Sequence, residues 1–208
     1  LIATQSLLQD GDFDTSNQFA NASYETFFDH ADGLWRQSVA RADGALLSPH
    51  NPGLSVLLLP GFAVGGLLGA QVQMILIAAA TFALTFVFVA RLTRFPRVAW
   101  GSVLAVALTA PAFVYSSAIY PEVPAALAVV VALLLLQPAP IVGPRRAVLV
   151  VLALTALPWL GIKYAPLVVV IGLYAAWRQT PRARLVMLVG GLVSGLAYIW
   201  FHISVYGG

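Results

Sequence analysis

The chain has 208 residues, of which 60% are apolar and 9% charged, with a formal net charge of +3 and no cysteine. Soluble domains average roughly 45–50% apolar and about 25% charged residues, so lipid is the expected solvent. Disulfides and thiolate zinc drop out, nucleic acid is not implied, and spans of about 20 residues each leave no room for a soluble catalytic domain.

The charge is unevenly placed. Residues 1–52 hold seven acids against Arg36 and Arg41, whereas the remainder holds nine bases against Glu122 alone. Such a division speaks to sidedness in a membrane. The chain opens at Leu1 without a start Met or a basic signal region, and closes on Tyr206-Gly207-Gly208 straight after an apolar run. It is expected to be a piece of a larger protein, most of an N-terminal half.

Residues 1–52 are rich in Asp, Asn, Ser and Gly and read as a folded or interfacial loop with short helices. The stretch Leu54 to Gly69 is apolar but carries Pro60, Gly61, Gly65 and Gly66, which makes it short for a span and poor as a continuous helix. It is expected to lie along the membrane surface. Residues 1–70 therefore form one unit, an acidic loop with its interfacial segment, and residues 71–208 a transmembrane helical domain.

Lipid-length candidates follow at Val72 to Ala90, Val98 to Ser116, Val123 to Leu136 and Leu185 to His202. The longer apolar region Ala147 to Trp177 carries Pro158, Gly161, Lys163 and Pro166 at its centre and reads as a tight helical hairpin with Lys163 near the apex. The expected fold is all-α and polytopic, with about six spans. Arg91, Arg94 and Arg97, then Arg145 and Arg146, then Arg178, Arg182 and Arg184 mark three loops that this count puts on one side, the inside. The loop 1–52, the turn Tyr115 to Glu122, the Lys163 apex and the chain end at Tyr206 then share the outside, where they could converge on one site.

Three features could carry chemistry. In Gln9-Asp10-Gly11-Asp12-Phe13-Asp14, alternate carboxylates would share one face of an extended backbone and could hold a divalent cation or divide acid and base roles. The same residues also suit a solvated turn with a helix cap. Glu122, the only acid after Asp43, sits in Tyr120-Pro121-Glu122 at the edge of lipid and is costly there unless paired or hydrated; a first-turn carboxylate favoured by the helix dipole is the plainer account. Lys163, the only lysine, asks for a phosphate or carboxylate partner or for snorkelling to the interface. His50 closes the polar loop and by itself suggests only a solvated imidazole.

The order of motifs resembles the GT-C membrane glycosyltransferases, particularly bacterial relatives of the dolichyl-phosphate-mannose protein mannosyltransferases and aminoarabinose transferases. Its elements are Ser6-Leu7-Leu8-Gln9-Asp10-Gly11-Asp12-Phe13-Asp14, His50-Asn51-Pro52-Gly53-Leu54, Tyr120-Pro121-Glu122, and Leu157-Pro158-Trp159 with Lys163-Tyr164-Ala165-Pro166. The resemblance implies a polyprenyl-phosphate sugar donor entering from the bilayer and an acceptor of unspecified kind. It implies Asp10 and Asp12 as catalytic carboxylates, Lys163 on the donor phosphate, and Asp14, His50, Tyr120 and Glu122 as further site residues. Relatives often keep an acid at the end of a preceding span, so the piece is expected to be inactive alone. Arg outnumbers Lys ten to one, which with the Ala, Val and Leu content suggests a GC-rich bacterial source and a cytoplasmic-membrane location. The alternative from another class is a transporter or lipid-handling protein without transfer chemistry, which the helix breaks at Pro158 and Pro166 would suit.

Overall fold

The computed structural model describes residues 1–137, 143–177 and 179–207, so that Arg178 of the third arginine loop and Gly208 lie outside the described residues. Among the described residues the fold is all-α apart from one small hairpin. The polar N-terminal region contains α1 (Ile2–Gln9), α2 (Ser16–Ala20), a 3-10 turn at Ser23–Thr26, and the antiparallel pair β1 (Val39–Ala40) and β2 (Leu46–Leu47). Gly44, at φ +92°, supplies the left-handed residue of the β1–β2 turn.

As expected, the stretch 54–69 is not one continuous helix, although Pro60 and Gly61 do not interrupt it. It holds the first arm of α3 (Gly53–Thr93), which breaks at Gly65 and Gly66, the latter at φ +54° and ψ −135°. The chain doubles back there: Gly61 meets Gly69, and the Gln73 side chain donates from Nε2 to the Leu57 carbonyl at 2.6 Å while its Oε1 accepts from the Gly61 amide at 2.9 Å. The glycines that argue against a helix in the sequence are used for backbone approach between two arms. Pro60, which removes one ladder hydrogen bond, lies between the two groups that Gln73 clamps.

Beyond α3 come α4 (Pro96–Ala107), α5 (Ala110–Tyr115), α6 (Glu122–Leu136), α7 (Pro144–Leu160), α8 (Ala165–Trp177) and α9 (Pro181–Tyr206). The expected helical hairpin is present, with a 3-10 turn at Ile162–Tyr164 as its apex. The expected continuous segment 98–116 is not: Thr109 is extended, and Pro111 falls in the first turn of a new helix, where its missing N–H costs nothing. Among the described residues two helices, α3 and α9, are long and apolar enough to cross a membrane. At 1.5 Å per residue the 15 residues of α6 reach only about 22 Å, short of a bilayer core of roughly 30 Å.

Helices α7 and α9 run parallel, since Val151 lies against Gly190 and Trp159 against Tyr198 at a constant offset in sequence. Arg145 and Arg146 at the start of α7 are thereby level with the start of α9, where Arg182 and Arg184 stand. Arg91 and Arg146 border a common cleft. Arg91, Arg145, Arg146, Arg182 and Arg184 thus gather at one end of the bundle, and Glu122, Lys163, Asn51 and Tyr206, with Arg41, at the other. Between the ends, Leu136, Val150, Leu154, Leu157, Ile171 and Ala175 join α6, α7 and α8 in one buried cluster, while Leu58, Phe62, Ala70, Met74 and Val123 join the α3 arms to α6 in a second.

Candidate functional site

The polar loop is fastened across the ends of α7 and α9. Asn51 Nδ2 donates to the Pro158 carbonyl at 2.9 Å and its Oδ1 accepts from the Tyr198 hydroxyl at 3.4 Å. Tyr206 donates to the Ser48 carbonyl at 3.0 Å, and the Arg41 guanidinium donates to the Val205 carbonyl at 3.0 Å, in the last turn of α9, where a cation suits both the free carbonyls and the helix dipole. Phe13 packs edge-on to Phe201, which with Trp159, Tyr198 and His202 forms an aromatic group under the loop. Sequence reasoning assigned no role to Asn51 or Tyr198; the signal was a polar side chain directly before a Pro-Gly helix start.

Beside this fastening lies a half-open cavity of about 710 Å³ bordered by the start of α1, by Trp35 and His50 of the loop, by Tyr120 and Pro121, and by Gly161 and Lys163. The loop, the Tyr115 to Glu122 turn and the Lys163 apex do converge, as the helix count leads one to expect. Tyr206 reaches the group through its bond to Ser48. Thr4 Oγ1, on the cavity wall, is buried and has no hydrogen-bond partner.

Lys163 and Glu122 find each other. The amine donates to Glu122 Oε1 at 2.6 Å, with the lysine side chain 60% and the glutamate 32% exposed. This hydrogen bond raises the Lys163 pKa above its ordinary value. The amine also lies 5.2 Å over the Tyr164 ring. A carboxylate partner therefore accounts for Lys163, and pairing accounts for an acid in an apolar setting. Glu122 Oε2 remains buried with no hydrogen-bond partner. On its far side, Glu122 borders a second, apolar cleft of about 390 Å³ with Phe82, Val103, Pro111 and Tyr115.

The three aspartates do not share a face. Residues 10–13 form a turn, with Gly11 at φ +78°, in place of the extended backbone that would align them. Asp10 accepts from the Asn17 and Gln18 side-chain amides. Asp12 Oδ1 accepts from Ser6 Oγ at 3.0 Å and from the Asp14 amide at 2.9 Å. Asp14 Oδ1 accepts from the Ser16 hydroxyl and from the amides of Ser16 and Leu46, both at 2.9 Å. Burial would raise the Asp14 pKa, but the bonds from Ser16 and Leu46 prevail and hold it below the usual carboxylate value. None of the three borders the 710 Å³ cavity, and among the described residues no three His, Asp or Glu side chains stand close enough to hold a metal ion.

Comparison of the chain with protein-family models, with curated proteins and with solved structures returns no match.

Proposed function

We propose that the chain is part of a polytopic bacterial membrane glycosyltransferase of the GT-C kind, with about six spans, that moves a sugar from a polyprenyl-phosphate donor to an acceptor on the outer face. The arginine end then faces the cytoplasm and the loop 1–52 the exterior, in keeping with the bias of short cytoplasmic loops toward Arg and Lys. The observation that carries the reading is the meeting of two cavities at Lys163 and Glu122, the first mostly apolar but bordered by the Lys163 amine, His50 and Thr4, the second almost wholly apolar. Together they suit an amphiphile, with a charged headgroup in the first and a hydrocarbon chain in the second.

In this reading Lys163 exchanges Glu122 for the donor phosphate and stabilises it as it departs. Asp10, Asp12 and Asp14 shape the loop, and His50, an exposed imidazole on the cavity wall, becomes the better candidate for accepting the proton of an acceptor hydroxyl. The test is incubation of the purified full-length parent protein with labelled polyprenyl-phosphate sugars, with release of lipid phosphate measured. Release that is lost in His50→Ala and retained in Asp12→Asn is expected; no release from any donor by monodisperse protein would sink the proposal. The second reading, a lipid-handling protein without transfer chemistry, is favoured by one observation, the absence of a carboxylate other than the paired Glu122 beside either cavity among the described residues. Binding of the same donors without release would select it.

A further inference from the structure

At the arginine end, opposite the cavities just described, a shallow cleft of about 360 Å³ runs between α3 and α6. Leu84 and Val87 of α3 and Val131 and Leu134 of α6 give it apolar walls at helical spacing, and Arg91 and Arg146 stand at its end. Both arginines are exposed, and neither takes part in a salt bridge among the described residues. The sequence offers them no carboxylate: between Asp43 and the chain end the only acid is Glu122, which lies at the far end of α6 and is held by Lys163.

Two guanidiniums over an apolar trough are complementary to an anion that carries a hydrocarbon chain. A free phosphate would leave the Leu and Val walls unused, and a zwitterionic lipid would bring its own ammonium into competition with the arginines. We propose that this cleft is a binding site for an anionic phospholipid of the adjacent leaflet, its phosphate between Arg91 and Arg146 and an acyl chain along the α3–α6 groove. The inference rests on membrane placement of the helices and is independent of sugar transfer.

The experiment is native mass spectrometry of the purified protein released from detergent micelles after titration with dioleoyl phosphatidylglycerol or dioleoyl phosphatidylcholine. The wild type should retain one phosphatidylglycerol in preference to phosphatidylcholine. The R91Q/R146Q variant should lose that retention by about fivefold for each arginine, from roughly 1 kcal/mol per basic side chain at an anionic headgroup. The R94Q/R182Q variant, whose arginines lie outside the cleft, should keep it. Equal retention of the two lipids by the wild type overturns the proposal and needs no variant to fold. Equal losses in both double variants also overturn it, because diffuse basic charge would then suffice, as does full displacement by inorganic phosphate at matched concentration. Loss of sugar transfer, or its absence, leaves all of these outcomes unaffected.

Discussion

Asp14 shows how a residue that looks like chemistry becomes architecture. Its Oδ1 gathers donors from Ser16 and from Leu46, thirty-two positions away, and so fixes β2 to the start of α2. Asp14→Ala should leave those donors unpaired and cost about 1–3 kcal/mol of loop stability, read as faster hydrogen exchange at the Leu46 amide. Because its pKa is held below the ordinary value, the contribution of Asp14 is complete above the unfolded carboxylate value near about 3.9 and is lost as pH falls through the lower folded value. Leu46 exchange, corrected for its intrinsic pH dependence, should therefore rise on acidification in the wild type and stay flat in Asp14→Asn. A wild type as flat as the variant would remove the carboxylate from this role.

At the scale of the element, the α3 hairpin depends on two absent side chains and one long one. A Cβ at Gly69 would run into the Gly61 carbonyl, a backbone atom that cannot turn aside. Gly69→Ala should part the arms and cost about 1–3 kcal/mol, as overpacking does. Gly101→Ala, in α4 with nothing near the added carbon, should be neutral or stabilising through helix propensity. Gln73→Leu keeps the bulk but abandons the Leu57 carbonyl and the Gly61 amide, at about 1–3 kcal/mol. Thermal unfolding in detergent ranks all three, and a Gly69→Ala protein as stable as Gly101→Ala would show that the arms do not need to touch.

For the whole molecule, the bundle has one basic end and one end where Glu122, Lys163 and the loop meet. Single cysteines are readily introduced because the chain has none. In intact cells an impermeant thiol reagent should label a cysteine at Asp32 and spare one at Arg94 or Arg182; the reverse pattern would turn the proposed orientation over. Glu122→Gln should free Lys163 and lower the donor concentration needed for half-maximal binding, while Lys163→Met should raise it. A rise in both variants would mean that the pair acts as a structural tie and not as a charge that the ligand exchanges.

Composition and pattern were enough for the all-α class, for the apolar helices and for the gathering of arginines, because burial in lipid acts on each residue type locally and prolines and glycines mark the breaks. The hairpin at Pro158 to Pro166 was legible for that reason. The partnership of Lys163 with Glu122 was legible only as a need, since each was a charge without a neighbour in sequence, and the tertiary fold supplied the neighbour forty-one positions away. Of the two readings of the aspartate run the turn holds and the shared face does not, because alternate spacing aligns side chains only on an extended backbone and Gly11 turns the chain there. The α3 hairpin was hidden as well, since glycine reads as a helix breaker until a second helix is seen to occupy the space of its missing side chain. What the tertiary structure alone decided was contact between distant segments: Gln73 on Leu57, Asn51 on Pro158, Leu46 on Asp14. Local propensity carries no information about such pairs, which exist only once the chain has closed on itself.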